Sequence, residues 1–165
     1  MFAGTYTSLQ TLKKPEYQYT TGTNRFVYKF TSVGPRGEIK KIVIYSNTQF
    51  ENIYNLAFGN YMDCDDDLDD LSVSNNHDTE KVLATVASTL VHFIRNHPKA
   101  WVAAEGSTKA RTRLYQIGIS QNLMDMPDEF AIFGYNSLGN WEPFTRNRKY
   151  VRFLVTRKQN LPHYE

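Results

Sequence analysis

Hydrophobic and polar positions alternate most cleanly over RFVYKFTS (25–32), where Phe26, Tyr28 and Phe30 share one face. The run EIKKIVIYS (38–46) returns after Gly34-Pro35-Arg36-Gly37, and the pattern predicts an antiparallel hairpin. A short strand is expected over Tyr17–Tyr19, and the mostly apolar ENIYNLAFGN (51–60) reads as a third strand or a short helix. The period then changes. Val82, Leu83, Val86, Leu90, Phe93 and Ile94 recur at helical spacing, opened by Asp78-Thr79-Glu80 and closed by Pro98. Asp78 is the expected cap of this helix, with Arg95 and His97 at its negative end. WVAA (101–104) predicts a short buried strand, Glu105-Gly106 a tight turn, and STKARTRLYQIGIS (107–120) a second helix. EFAIFGY (129–135) and KYVRFLVTR (149–157) predict two closing strands, the last with Val151, Phe153 and Val155 toward the core.

The order β-β-β-α-β-α-β-β predicts an α+β fold, a mostly antiparallel sheet with two helices packed on one face. Residues 1–14 are polar and unpatterned and read as an arm; residues 15–165 read as one domain without repeats. The chain's 11 Tyr and 10 Phe favour a sheet-rich core. No run approaches the ~18 apolar residues of a membrane span, and the opening residues lack the apolar core of a secretion signal, so a cytoplasmic protein with no membrane partner is expected. Cys64, the single cysteine, has no internal partner for a disulfide.

Charge is unevenly placed. Residues 63–80 hold eight acids and no Lys or Arg, so that the rest of a chain of net charge +2 sums to +10. A basic surface on such a chain attracts anions and nucleic acid. The acidic stretch itself is expected to be a solvated loop. Its alternating Asp63, Asp65 and Asp67 are spaced like a calcium loop, but Leu68 stands where such a loop needs glycine and Ser74 where it needs glutamate. No metal and no cofactor is assigned; carboxylates holding Mg²⁺ for a nuclease-like reaction are a minor alternative.

The pattern with most chemical content is Gly106-Ser107-Thr108 running into the second helix. It brings backbone N–H groups, two hydroxyls and the positive end of a helix dipole to one point. Lys109, Arg111 and Arg113 add cations, with Lys109 and Arg113 on one face and Arg111 aligned with Tyr115. These residues form the candidate anion site, with Tyr115, Asn76, His77 and Arg152 as accessories. A simpler reading accounts for the same residues as a cap, an ion pair from Arg111 to the acidic stretch, and a core tyrosine. Asn76 and His77 can likewise be a turn before the first long helix, and His92 a flank of its buried face. Arg146, Arg148, Lys149, Arg152, Arg157 and Lys158, with Tyr150 and Phe153 between them, have the mix of single-strand nucleic-acid binders and equally that of an ordinary exposed strand.

Ile53-Tyr54-Asn55-Leu56-Ala57-Phe58-Gly59, Ser74-Asn75-Asn76, Val82-Leu83-Ala84-Thr85-Val86 and above all Gly106-Ser107-Thr108-x-Ala110-Arg111-Thr112-Arg113-Leu114-Tyr115 resemble a family of small uncharacterised bacterial proteins, a domain of unknown function. The resemblance implies a bacterial domain and no activity. Three function classes stay open: a binding or regulatory module for a phosphate-containing ligand or nucleic acid; a small nuclease-like enzyme of a toxin–antitoxin pair; and a protein-binding partner or homo-oligomer using the acidic loop 63–70.

Overall fold

The computed structural model describes residues 5–6, 14–62, 65–69, 75–126 and 128–162. Among these residues ten strands form one sheet: β1 (Thr5–Tyr6), β2 (Tyr19–Thr21), β3 (Val27–Gly34), β4 (Gly37–Asn47), β5 (Ile53–Met62), β6 (Asp65–Asp69), β7 (Trp101–Ala104), β8 (Phe130–Asn136), β9 (Trp141–Pro143) and β10 (Tyr150–Arg157). Two helices, α1 (Thr79–Asn96) and α2 (Lys109–Asn122), complete an α+β fold. The strands run β1-β2-β3-β4-β5-β7-β10-β8-β9 across the sheet, with β6 added to β5. Every pairing is antiparallel except β5 with β7, the two strands joined through α1. A parallel pair requires such a crossover.

The expected hairpin is β3–β4, paired from Val27↔Ile44 to Gly34↔Gly37. Gly37 closes it with φ +87, a conformation that suits glycine. Residues 51–60 resolve in favour of a strand, because β5 pairs with β4 over Tyr54–Asn60. The short strand expected over Tyr17–Tyr19 lies slightly later, at Tyr19–Thr21, where it pairs with β3. β1, inside the expected arm, pairs with β2, and β9 is a further short strand on β8.

Two expectations are corrected. The acidic stretch is not a loop throughout, because Asp65–Asp69 forms β6 against the end of β5, with Asn60↔Asp69 and Met62↔Asp65 in register. Val151 does not face the core: the ladder between β10 and β8 shifts between Tyr150 and Arg152, so Tyr150 and Phe153 both turn inward and Val151 is left 44% exposed. An extra residue in one strand breaks the two-residue alternation in this way.

The core lies between the sheet and α1. Every residue from Val82 to Ile94 is buried. Tyr28, Phe30, Val43, Tyr45, Leu56 and Phe58 bring the inner face of β3–β5 against α1, and Val102, Phe153 and Val155 continue that face. The Tyr45 ring stacks on Phe93 with centroids 4.2 Å apart, while its hydroxyl shares a 2.9 Å hydrogen bond with Thr89. Burial pushes the Tyr45 pKa well up. One turn further on, Tyr28 shares a 2.7 Å hydrogen bond with His92 Nδ1. Desolvation, assisted by coulombic repulsion from Arg25 and His97, lowers the His92 pKa to about 4, so this buried ring is neutral near pH 7.

Candidate functional site

The parallel pair sets the polarity of the molecule. β5 and β7 point their carboxyl ends the same way, α1 and α2 start at that end, and β10 begins there. Ligands of sheets with parallel strands commonly bind beyond those carboxyl ends. The same end gathers the sequence-predicted residues and divides them into two groups.

Thr108 is the N-cap of α2, its hydroxyl accepting from the Arg111 backbone N–H at 3.2 Å. Gly106 is held under the first turn, where its N–H donates to Thr112 Oγ1 at 3.1 Å. A Cβ there would lie 2.2 Å from the Thr112 nitrogen, which explains glycine at this place. From this start the 3.6-residue period sends Lys109 and Arg113 to one side of α2 and Arg111 and Tyr115 to the other.

On the first side lies a groove of about 900 Å³ between α2 and residues 144–151. Ser107, Thr108, Lys109 and Arg113 line one wall, and Arg148 and Lys149 belong to the other. The far wall is braced from within. Phe144 and Tyr150 are buried against Phe153, and Gly134 makes room for the Tyr150 ring, which a Cβ would meet at 2.3 Å. The Tyr150 hydroxyl accepts from the Thr145 N–H at 3.1 Å and donates to Glu142 at 2.8 Å. Hydrogen bonds from Tyr150 and Asn136, with the Arg148 charge beside them, hold the Glu142 carboxyl below its ordinary pKa. Gln116 donates to the Arg148 carbonyl at 2.5 Å and Arg146 to the Ser120 carbonyl at 3.1 Å, tying this wall to α2.

The electrostatics of the groove are one-sided. Glu105, its carboxylate, pairs with Arg152 at 3.0 Å, and Arg148 pairs with Glu142 at 2.9 Å. Lys109, Arg113 and Lys149 have no ion-pair partner among the described residues, and all three are exposed.

On the second side, Arg111 and Tyr115 close over Phe58. The Arg111 guanidinium sits 4.9 Å from the centre of the Phe58 ring, and the Tyr115 ring meets it edge-on at 5.4 Å. Tyr115 also accepts from the Phe58 N–H at 3.3 Å. Next to them is a residue that sequence reasoning missed. Lys41 is only 3% exposed on the inner face of β4 and donates to Asn60 Oδ1 at 2.6 Å. Desolvation and the neighbouring Arg111 charge lower its pKa to about 8 despite the opposing attraction of Asp78. The available signal was the break in alternation at Lys40-Lys41, which cannot both face solvent on a half-buried strand.

Asn76 and Asp78 sit at the start of α1 and build structure. Asn76, 2% exposed, donates to Ser32 Oγ and to the Gly37 carbonyl and accepts from the Arg36 N–H at 2.8 Å, clasping the β3–β4 turn. Asp78 stands at the N-cap position but makes no side-chain cap; its carboxylate accepts from Tyr17 at 2.7 Å and from Ser32. His77 is exposed and Arg152 lies beyond the groove rim, so the four accessory residues do not converge with Lys109 and Arg113. A pairing of Arg111 with residues 63–64 or 70–74 lies outside the described residues. Among the described residues no group of His, Cys, Asp or Glu is arranged to hold a metal ion, and no helix is long and apolar enough to cross a membrane.

Fold and site together define a small α+β domain with a cationic groove at the carboxyl end of its parallel strand pair. Residues 13–158 match the family of unknown function DUF6934, and the chain belongs to that family. No curated protein and no solved structure matches it.

Proposed function

We propose that the protein is a binding module that takes a phosphate-bearing ligand in the groove between α2 and residues 144–151. The observation that carries this reading is the convergence of Lys109, Arg113 and Lys149, none of them ion-paired among the described residues, on the groove that also holds the hydroxyls of Ser107 and Thr108. Hydroxyls and backbone N–H groups at a helix start orient an anion, and the three side chains supply charge. Arg111 contributes from beneath, through packing on Phe58 and support of the first turn of α2. A nuclease reading needs a base beside these cations. The described groove lining contains no histidine, and its carboxylate, Glu105, is engaged by Arg152.

Calorimetric titration with inorganic tripolyphosphate tests the proposal. Binding is expected at low salt, weakening as KCl is raised, and the Lys109→Ala/Arg113→Ala variant should lose about tenfold or more in affinity, the worth of one or two charge-assisted hydrogen bonds. Absence of binding by the parent protein at low salt, or equal binding by the variant, overturns it.

A further inference from the structure

Arg152 joins the groove to a second surface. Its guanidinium pairs with Glu105 on the groove rim and lies 5.5 Å from the centre of the Tyr135 ring. Strand register places Arg152, Tyr135 and Trp141 side by side on β10, β8 and β9. Phe153 and Val155 take the core face of β10, so this trio stands on the opposite, outer face of the sheet. Two residues back along β8 the same face carries Phe133, whose ring stacks with Trp101 of β7 at 6.4 Å. Rings therefore run inward from the groove rim, first Tyr135 and Trp141 with centroids 5.1 Å apart, then Phe133 and Trp101. Trp141 is 46% exposed, and the other three rings are partly exposed.

Charge decides what such a face receives. The centre of a surface made for a second copy of a chain is usually depleted of charge. Here a guanidinium lies beside the first ring, and its partner Glu105 lines the groove that Lys149, Arg113 and Lys109 also line. Aromatic rings beside a row of cations match a polyanion with exposed planar groups. A duplex keeps its base faces stacked on one another, whereas a single strand can splay them onto protein rings.

We propose that the ligand of the groove is single-stranded nucleic acid, its phosphates held by Lys109, Arg113 and Lys149 and its bases stacked on Tyr135 and Trp141. Arg152 is the positioning residue between them, fixed by Glu105 with its guanidinium beside the Tyr135 ring. This inference rests on the groove reading, and its test separates the two.

Fluorescence anisotropy with labelled oligouridylate and oligothymidylate, beside an abasic oligodeoxyribose phosphate of equal length, distinguishes base stacking from charge alone. The base-bearing strands are expected to bind about tenfold or more tightly than the abasic one, and Trp141→Ala should remove most of that difference, since a stacked base is worth about that much. Tripolyphosphate binding to Trp141→Ala should stay unchanged, which also shows that the variant is folded. In Trp101→Phe, which leaves Trp141 as the chain's one tryptophan, emission should be quenched by oligothymidylate and not by the abasic strand. Equal affinity for abasic and base-bearing strands, or binding indifferent to Trp141→Ala, overturns the stacking surface while leaving the groove in place. A dimer in sedimentation that Trp141→Ala splits, with no preference for bases, assigns the face to a second copy and overturns it as well. Loss of tripolyphosphate and oligonucleotide binding alike refutes the groove itself.

Discussion

The two helices begin at the same end of the sheet and have opposite fates. From Val82 to Ile94 α1 is buried on every side, including Thr85, Ser88, Thr89 and His92, whereas α2 buries only Tyr115, Gly118, Ile119 and Asn122. Three of these polar groups on α1 are consumed by the fold: Thr85 accepts from the Tyr17 N–H, Thr89 is bonded to Tyr45 and His92 to Tyr28. α2 keeps a whole face, with Lys109, Arg113 and Gln116, turned toward an open groove. Stability is concentrated in the first helix and the proposed recognition in the second, so substitutions in the two should separate cleanly.

The largest expected effect is on the α1 side. Phe93 is fully buried and stacked with Tyr45 and His97, and Phe93→Ala should cost about 3–5 kcal/mol in urea unfolding. A loss below about 1 kcal/mol would deny α1 its place at the centre of the core.

A smaller effect follows from His92. Its pKa is near 4 when folded and near the ordinary 6.5 when unfolded, so the unfolded chain binds a proton that the folded one refuses between these values. The contribution of the neutral ring is complete above about pH 6.5 and is lost progressively as pH falls toward 4, on the order of 2 kcal/mol in all. His92→Gln, measured by urea unfolding at pH 7 and pH 4.5, should be the less stable protein at neutral pH and should show a shallower decline. Parallel declines would mean that the ring is not shielded as the structure shows.

The smallest stability effect sharpens the contrast from the other side. Lys109→Ala/Arg113→Ala should change the unfolding free energy by less than about 0.5 kcal/mol, because neither side chain holds an ion pair among the described residues. A large loss would make these cations structural and weaken the proposed role of the groove.

The elements most legible in the sequence are those whose period is uninterrupted. β3 and α1 display their apolar faces without a break, and Gly34-Pro35-Arg36-Gly37 marks the turn that leads into β4. β6 was not legible because a run of aspartates disfavours a strand by propensity, and pairing with β5 overrides that preference. Val151 was misplaced for a different reason: a bulge changes the phase of a strand, and nothing in KYVRFLVTR announces it. At the site, helical spacing correctly separated Lys109 and Arg113 from Arg111 and Tyr115. That Arg148 and Lys149, already singled out as basic, stand opposite α2 could not be foreseen, since it depends on Tyr150 folding back onto Glu142 and on the space left at Gly134. Lys41 was passed over because a lysine in an alternating strand normally marks the wet face.

The parallel ladder of β5 with β7 has a kinetic consequence. It spans only Ile53↔Trp101 to Leu56↔Ala104, yet among the described strands it alone joins the β1–β5 half of the sheet to the β7–β10 half. Each half can zip up through neighbouring antiparallel pairs, while this seam must wait for α1 to cross over between them. Assembly of the chain should therefore be limited by docking of two preformed halves, and a chain caught before that step would display the unpaired edge of β5 to its neighbours.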